Sequence, residues 1–203
     1  MRLTKHLKTS IAFFDFDGTI TKHDSLLRFL RFVLGDLRVF GGLAFLSPIL
    51  LLHFFGLFPS YKAKQILLAH FFKGMAADKF WEIAKEYALN HIDTITKKSA
   101  IERIGWHKQN VHTIVIVSSS LYCWLKPWCD KYNLELIATK IEVIDGKLTG
   151  KLLGKRCYGA QKVKQINDVY DLQSFDKIYA YGDTRGDKEM LEMADFPFCK
   201  FFY

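Results

Sequence analysis

The sequence predicts an α/β protein in which helices cover both faces of a parallel sheet, with an all-helical segment inserted early. Two observations support this fold class: short apolar runs typical of buried strands alternate with helical segments, and a long strand-free segment separates the first run from the second. The 203 residues are enough for one core with an inserted subdomain. Half of them are apolar and a quarter are charged, which excludes a disordered chain.

The first predicted strand is the short apolar run at 11–16, which Gly18 closes. The basic segment before it, 1–10, resembles the start of a secretory signal peptide. A signal peptide would continue with a longer apolar run and a small-residue cleavage site. Because this run ends in Asp15-Phe16-Asp17 instead, we interpret it as a buried strand and not as an export signal.

The next segment, 24–108, contains no run that resembles a strand bounded by turns. Its long apolar-rich stretches predict four or five helices. Such a segment is far longer than the crossover that normally joins two neighbouring parallel strands. We therefore predict an inserted helical cap at 24–99, with the α/β core formed by 1–23 and 100–203.

The second half of the chain returns to alternating strands and helices. Its β-branched residues predict strands, and the Asp145-Gly146 pair predicts a tight hairpin turn. In order, the predicted elements are a strand at 113–117, a helix at 121–132, a strand at 134–139, hairpin strands at 141–144 and 147–152, a helix at 160–170, a strand at 177–181, a helix at 188–193 and a strand at 196–202.

Four polar groups follow predicted strands or open a later helix. Each alone is a weak signal, since an Asp-Gly pair is usually a turn and a run of Ser usually a loop. Functional sites in open parallel sheets lie beyond the carboxyl ends of the strands, so the groups are expected around one crevice. They are Asp15-Phe16-Asp17-Gly18-Thr19, Ser118-Ser119-Ser120, Lys162 and Gly182-Asp183-Thr184-Arg185-Gly186-Asp187.

The residue types in these groups suit phosphoryl chemistry. Asp15 and Asp17 point to the same side of the first strand, because side chains alternate along a strand. Crowded carboxylates are tolerable when a hard divalent cation such as Mg²⁺ lies among them, and a carboxylate can attack phosphorus to give an aspartyl-phosphate. Ser118, backbone N–H groups and Lys162 would stabilise the developing charge, while a second carboxylate protonates the leaving oxygen.

The order of these motifs resembles the haloacid dehalogenase superfamily of phosphohydrolases: D-F-D-G-T, an apolar strand ending in Ser, a Lys, and G-D-x-x-x-D. The resemblance spans about residues 11–200. The cap, the Asp145-Gly146 hairpin and 182–187 resemble its subfamily IB, which includes phosphoserine phosphatase. It implies a Rossmann-like parallel-sheet core with an inserted all-helical cap of the C1 type, although the cap matches the family only in kind.

The resemblance also implies a role for each carboxylate. Asp15 would be the nucleophile and Asp17 the general acid/base. Mg²⁺ would be bound by Asp15, by Asp183 and by the backbone carbonyl of Asp17, with Asp187 supporting the metal through a water. The implied reaction is Mg²⁺-dependent hydrolysis of a phosphate monoester through an aspartyl-phosphate.

The phosphate-binding residues implied by the resemblance are Thr19, Ser118 and Lys162. Ser119 stands where many relatives have Gly, and a residue this small still permits contact of its backbone N–H with phosphate. Asp24 precedes Ser25 and is a good N-cap for a helix, while the family places an acidic substrate-binding residue near this point. Both roles of Asp24 stay open.

The net charge and the cysteine and histidine patterns limit the binding partners and metal sites that the sequence can be expected to have. The formal net charge of +8 favours anionic partners, but the basic residues are scattered, so we expect no nucleic acid. The four cysteines form no C-x-x-C pair and are expected to be reduced thiols in a cytoplasmic protein. The seven histidines show no H-E-x-x-H spacing and are expected to be structural. No oligomeric state is predicted.

An uncharged run at 39–58 is long enough to cross a bilayer. A single crossing would place Asp15 and Asp183 on opposite sides of the membrane, which a shared site excludes. Two interpretations stay open: a buried or partner-facing pair of cap helices, or a helical hairpin bent near Pro48 and dipped into one leaflet. Basic residues on both sides of the run would suit anionic headgroups.

The choice between these interpretations decides the expected substrate. A cap docked on a membrane favours a lipid phosphate as the substrate. In this respect the chain resembles the phosphatidylglycerophosphatase C type within subfamily IB. The protein would then be peripheral on the inner face of the cell membrane. The alternative is a phosphatase of a small soluble ester such as phosphoserine, although no cap arginine stands out to bind a carboxylate. A phosphotransferase using the same residues and a non-catalytic membrane-docked adaptor are further alternatives.

Overall fold

The first strand, β1 (Ile11–Phe14), lies inside a six-stranded sheet in the computed structural model, which describes residues 9–203. The basic residues 1–8, which belong to the predicted core, lie outside the described residues. The order across the sheet is β4-β3-β2-β1-β5-β6, and every neighbouring pair is parallel except the β3–β4 hairpin. The predicted α/β class is confirmed. The other strands are β2 (Thr113–Leu121), β3 (Glu135–Ile144), β4 (Lys147–Leu153), β5 (Ile178–Gly182) and β6 (Phe196–Cys199).

The side chains of β1 alternate between two apolar layers, one on each face of the sheet. Ala12 and Phe14 belong to the larger layer, and Ile11 and Phe13 to the smaller. All four side chains are fully buried. Burial on both faces explains why this run is apolar throughout instead of alternating with polar residues.

Eight α-helices surround the sheet within residues 9–203, and five of them lie between β1 and β2, as predicted. Short 3₁₀ turns add to them at Ile92–Ile95, Leu172–Ser174 and Arg185–Asp187. The helices are α1 (Ser25–Leu34), α2 (Asp36–Phe54), α3 (Ser60–Phe72), α4 (Ala77–Asn90), α5 (Lys98–Gln109), α6 (Tyr122–Lys131), α7 (Ala160–Asn167) and α8 (Lys188–Glu192).

An aromatic cluster joins the inserted helices to the core. The ring of Phe29 on α1 lies 5.8 Å from that of Phe72 on α3 and 5.3 Å from that of Tyr87 on α4. The same ring lies 4.7 Å from the indole of Trp124 on the core helix α6. The inserted helices therefore pack directly on the core, and the limits 24–99 of the cap stay a prediction.

The β3–β4 hairpin is longer than predicted. The strands predicted at 134–139 and 141–144 are one strand, β3, whose first half pairs with β2 and whose second half pairs with β4. Asp145 and Gly146 both have positive φ angles, 49° and 70°, as a two-residue hairpin turn requires. The hairpin is anchored beside α3, where the N–H of Gly74 donates to the carbonyl of Leu148 at 2.8 Å.

The helical hairpin expected to turn near Pro48 is wrong, because one helix, α2, runs through this proline. Pro48 has no N–H to donate to the carbonyl of Ala44, but the hydroxyl of Ser47 donates to that carbonyl at 2.7 Å. The chain leaves the helix at 55–59 instead. Among the described residues, α2 is the one helix long and apolar enough to cross a membrane, and 17% of its apolar window is buried.

Candidate active site

The predicted site residues meet at the carboxyl edge of the central strands. Asp15 directly follows β1, Ser118 to Ser120 form the end of β2, and Asp183 directly follows β5. A cavity of about 450 Å³ opens at this edge. Its polar lining from the predicted set comprises Asp15, Asp17, Asp24, Ser119, Lys162 and Asp187.

Lys162 is the fully buried centre of the charged network. Its Nζ lies 2.5 Å from Asp15 Oδ1 and 2.6 Å from Asp187 Oδ1, and it donates to the carbonyl of Val117 at 2.6 Å. Burial opposes its charge, but Asp15 and Asp187 hold the pKa of Lys162 above its ordinary value. A permanent cation therefore lies beside the first strand end, and Lys162 is not a solvated helix lysine.

The carboxyl of Asp15 is buried among charges of both signs. Burial raises the pKa of Asp15 to about 7, against the lowering effect of Lys162 and with the raising effect of Asp187. One carboxylate oxygen, Oδ1, receives the hydrogen bond from Lys162. The other, Oδ2, has the Thr19 hydroxyl at 3.5 Å. Lys162 thus orients Asp15 through a single oxygen.

Three carboxylates converge on one point. Asp15, Asp183 and Asp187 each place an oxygen within 4.8 Å of the others. Among the described residues, Lys162 is the one lysine in ion-pair contact with this group, and Lys97 acts on Asp183 from farther away. The surplus of negative charge and the hard oxygen ligands fit Mg²⁺. Burial raises the pKa of Asp183, although the Thr19 hydroxyl donates to its Oδ1 at 3.0 Å.

The loop after β5 is ordered by Asp187. Its Oδ2 accepts hydrogen bonds from the N–H of Asp183 at 3.2 Å and from the N–H and hydroxyl of Thr184 at 3.0 and 2.9 Å. Burial acts to raise the pKa of Asp187, but Lys162 and Thr184 hold it below the ordinary value. Gly18 faces this loop, and a Cβ there would lie 2.2 Å from Asp183 Oδ2. Glycine in the D-F-D-G-T motif thus admits the Asp183 carboxylate.

Asp17 lies apart from the three converging carboxylates. Its Oδ1 accepts from the N–H of Ser25 at 2.7 Å, and its Oδ2 accepts from the hydroxyl of Ser120. Burial, and after it the charge of Asp24, raises the pKa of Asp17 to about 6. Asp17 is therefore held at the cavity wall by neutral donors, while Asp15 is held by a cation.

The hydroxyl residues take different places. Ser118 is buried, and its Oγ accepts from the N–H of Ser120 at 3.0 Å, so this hydroxyl shapes the turn at the end of β2. Ser119 and Ser120 line the cavity, whereas Thr19 directs its hydroxyl to Asp183. The phosphate contacts expected of Thr19, Ser118, Ser119 and Lys162 stay predictions.

Asp24 lies both at the N-cap of α1 and on the wall of the cavity. Its Oδ1 accepts from the N–H of Leu27 at 2.9 Å, so it caps α1, and it also lines the cavity. The capping role is confirmed, and substrate contact stays a prediction.

Two basic residues of the cavity are absent from the predicted set. Lys64 reaches it from α3, and Arg156 reaches it from the segment after β4. Neither stands in a motif: Lys64 reads as an ordinary surface residue of an apolar helix, and Arg156 lies in a basic turn. Their meeting depends on the packing of the β3–β4 hairpin beside α3, which no local pattern encodes.

Comparison with known proteins agrees with this geometry. The model of the haloacid dehalogenase-like hydrolase family matches residues 12–192. Protein CicA of Caulobacter vibrioides is 31% identical over 185 residues, which cover 90% of this chain and 82% of that protein. The histidinol-phosphatase of Neisseria meningitidis serogroup C is 25% identical over 137 residues, 64% of this chain and 60% of that one.

A solved structure shares the fold at lower identity. It is a phospho-aspartyl intermediate analogue of phosphoserine phosphatase, with a TM-score of 0.65 and 19% identity. The match covers 92% of this chain and 84% of that one. At this identity the likeness concerns the fold: a parallel-sheet core with helices inserted after its first strand.

Proposed function

This chain belongs to the haloacid dehalogenase-like hydrolase family as an enzyme of its phosphatase type, and we propose that it hydrolyses phosphate monoesters with Mg²⁺ through a phosphoryl group on Asp15. One observation carries the proposal. The Asp15 carboxylate borders the cavity, held at one oxygen by Lys162, where Asp183 and Asp187 converge with it. A bound Mg²⁺ would supply positive charge to the phosphoryl oxygens.

The first half-reaction transfers the phosphoryl group to Asp15. Asp15 Oδ2 attacks phosphorus, the bond between phosphorus and the ester oxygen breaks, and Asp17 gives its proton to the leaving alcohol. Lys162 holds Asp15 in place and offers positive charge beside the transferring group. A general acid with a pKa raised to about 6 suits proton transfer near neutral pH.

The second half-reaction restores the enzyme. Asp17, now ionised, takes a proton from a water molecule whose oxygen attacks phosphorus of the aspartyl-phosphate. The bond between phosphorus and Asp15 breaks, which releases inorganic phosphate and the free carboxylate. The Ser25 N–H and the Ser120 hydroxyl keep Asp17 oriented through both steps.

Phosphate release from monoesters tests this function. The purified protein should release inorganic phosphate with Mg²⁺, lose turnover in excess EDTA, and regain it when Mg²⁺ is restored. Full turnover in chelator would contradict the metal assignment. Transfer of the phosphoryl group to an added alcohol, in place of water, would identify a phosphotransferase.

For the substrate we propose a lipid phosphate, presented by a membrane on which α2 lies. Leu50 and His53 of this helix line the catalytic cavity, while its outer side exposes many apolar side chains. Exposed Arg38 in its first turn, with exposed Arg28 on α1 and Lys62 on α3, suits an anionic surface at the inner face of the cell membrane. The exposed apolar residues of α2 and the following turn are Leu37, Phe40, Phe45, Leu51, Leu52, Phe54, Phe55 and Leu57.

A small soluble ester is the second candidate substrate. It is favoured by the relative named histidinol-phosphatase. Turnover of phosphatidylglycerophosphate and phosphatidic acid in mixed micelles, compared with turnover of phosphoserine and histidinol phosphate, decides between the two. Higher kcat/KM for a lipid supports the first candidate, and higher kcat/KM for a soluble ester replaces it with the second.

A further inference from the structure

Two cations of the catalytic cavity, Lys64 and Arg156, contact only neutral acceptors. The Lys64 Nζ donates to the Ser119 carbonyl at 2.6 Å. Arg156 donates to the Ser60 hydroxyl at 2.9 Å and to the Ser119 hydroxyl at 3.4 Å. Within residues 9–203, no carboxylate lies within ion-pair distance of either cation.

Lys162, in the same cavity, differs from these two cations because it forms ion pairs with two carboxylates, those of Asp15 and Asp187. Arg156 has in addition a buried Nε without a hydrogen-bond partner among the described residues. A buried donor left unpaired is costly, and a guanidinium prefers two parallel bonds to a carboxylate or phosphate. Arg156 therefore has unused capacity for an anion.

The pKa shifts of both groups agree with missing negative charge. Burial, and then the neighbouring Arg156, lowers the pKa of Lys64 to about 8, even though Asp24 and Asp17 act in the opposite direction. Burial also lowers the pKa of Arg156, against the smaller raising effects of Tyr158, Asp24 and Cys157. A bound anion between the two would relieve their mutual repulsion and the cost of burial.

Arg156 stands at the border between two cavities. Its guanidinium lies over the Tyr158 ring, 4.8 Å from the centroid, a contact that favours a cation. Ser60, Arg156 and Tyr158 also line a second cavity of about 550 Å³. Arg156 thus borders both the catalytic cavity and a neighbouring space large enough for the remainder of a substrate.

We propose that Lys64 and Arg156 form a subsite for a second anionic group of the substrate, on the alcohol side of the scissile bond. The inference rests on the proposed function and defines its substrate class: phosphate monoesters whose alcohol carries a carboxylate or a second phosphate. A phosphodiester in a lipid headgroup and a carboxylate in a small metabolite share this chemistry. The rest of the leaving group extends past Arg156 into the second cavity.

Two matched substrate pairs test the subsite. Phosphoserine differs from phosphoethanolamine by one carboxylate, and phosphatidylglycerophosphate has a phosphodiester that phosphatidic acid lacks. The wild type should show a kcat/KM at least about tenfold higher for the doubly anionic member of one pair, the scale of a charged hydrogen bond. The pair that shows the preference identifies the source of the anion.

The variants locate that preference. Arg156→Gln should lower the ratio of kcat/KM within the preferred pair about tenfold, mainly through KM of the doubly anionic member. Arg156→Lys and Lys64→Gln should each retain part of the ratio, and both are measured in case Arg156→Gln does not fold. Lys151→Gln, an exposed residue of β4 outside the catalytic cavity, removes the same charge and should leave the ratio unchanged.

Equal kcat/KM for both members of each pair in the wild type would overturn the subsite. So would folded Arg156 and Lys64 variants that keep the full preference. Absence of phosphate release from every monoester would instead refute the proposed function, so the two failures are distinguishable.

Discussion

The two ends of the catalytic cavity differ in how their charges are balanced. At the strand end, Lys162 is enclosed between Asp15 and Asp187, and the loop after β5 is hydrogen-bonded to Asp187. At the cap end, Lys64 and Arg156 have no anionic partner among the described residues, and α2 exposes its apolar side chains. The charges of the first end are paired within the protein, whereas the cations of the second are the ones that we propose to bind an anionic group of the substrate.

The largest loss of activity is expected at the strand end of the cavity, at Asp15. Asp15→Asn removes the proposed nucleophile and should lower kcat by about 10⁴-fold or more, the scale seen when a catalytic nucleophile is lost. Steady-state phosphate release measures it. Asp168→Asn, at an exposed aspartate that follows α7 and pairs with Lys164, provides the control. Retention of near wild-type turnover by Asp15→Asn would mean that another residue attacks phosphorus.

A smaller effect is expected at Asp17, which neutral donors hold. Asp17→Asn should lower kcat by about 10²- to 10⁴-fold with an alkyl phosphate, because the poor leaving group then departs without a proton. With a nitrophenyl ester, whose leaving group needs no proton, phosphoryl transfer should persist and hydrolysis should become limiting. Rapid mixing of Asp17→Asn with the nitrophenyl ester should therefore give a burst of nitrophenol, and absence of that burst would contradict the role of Asp17 as the general acid.

The next prediction concerns membrane binding by the exposed apolar side chains of α2. Leu51→Asp with Phe55→Asp should release the protein from vesicles rich in anionic lipid, since a charge in the bilayer interior costs about 2–3 kcal/mol and less near the interface. Both side chains are exposed, so the melting temperature should change little. Vesicle sedimentation and a thermal melt measure the two quantities, with exposed Val169→Asp as the control.

The competing interpretation of α2 makes opposite predictions. A helix covered by a protein partner would leave the wild type in the supernatant with anionic vesicles. That result would end the membrane proposal and favour a soluble ester.

The smallest effect concerns pH at the cap end. Lys64 is charged below its pKa of about 8, so the preference for a doubly anionic substrate should decline a few-fold as the pH rises through that value. The groups that act on Lys64 are Arg156, Asp24, Asp17 and Cys123. Lys64→Arg should abolish the decline, because arginine stays charged. An equal decline in wild type and variant would assign it to another group.

The strand end was predictable from the sequence because short, contiguous sequence patterns determine where its residues lie. The central strands contain apolar runs, and two of the converging carboxylates follow their strands directly, as Asp15 follows β1 and Asp183 follows β5. Parallel topology then brings these residues together without any knowledge of side-chain packing. The N-cap role of Asp24 and the hairpin turn at Asp145-Gly146 are local in the same way.

The cap end was not predictable because it depends on contacts distant in sequence. Lys64 and Arg156 both donate hydrogen bonds to Ser119, and this contact requires the β3–β4 hairpin to pack beside α3. In α2, the carbonyl that Pro48 leaves without a backbone donor accepts instead from the Ser47 hydroxyl. Neither feature follows from periodicity or residue type.

The central claim is that Asp15 carries the phosphoryl group during turnover. Enzyme mixed with a nitrophenyl phosphate and quenched in acid, then digested for mass spectrometry, tests it directly. We expect phosphate on Asp15 in the wild type, more of it in Asp17→Asn, and none at that position in Asp15→Asn. Phosphate on a different residue during active turnover, or labelling that survives Asp15→Asn, would contradict it.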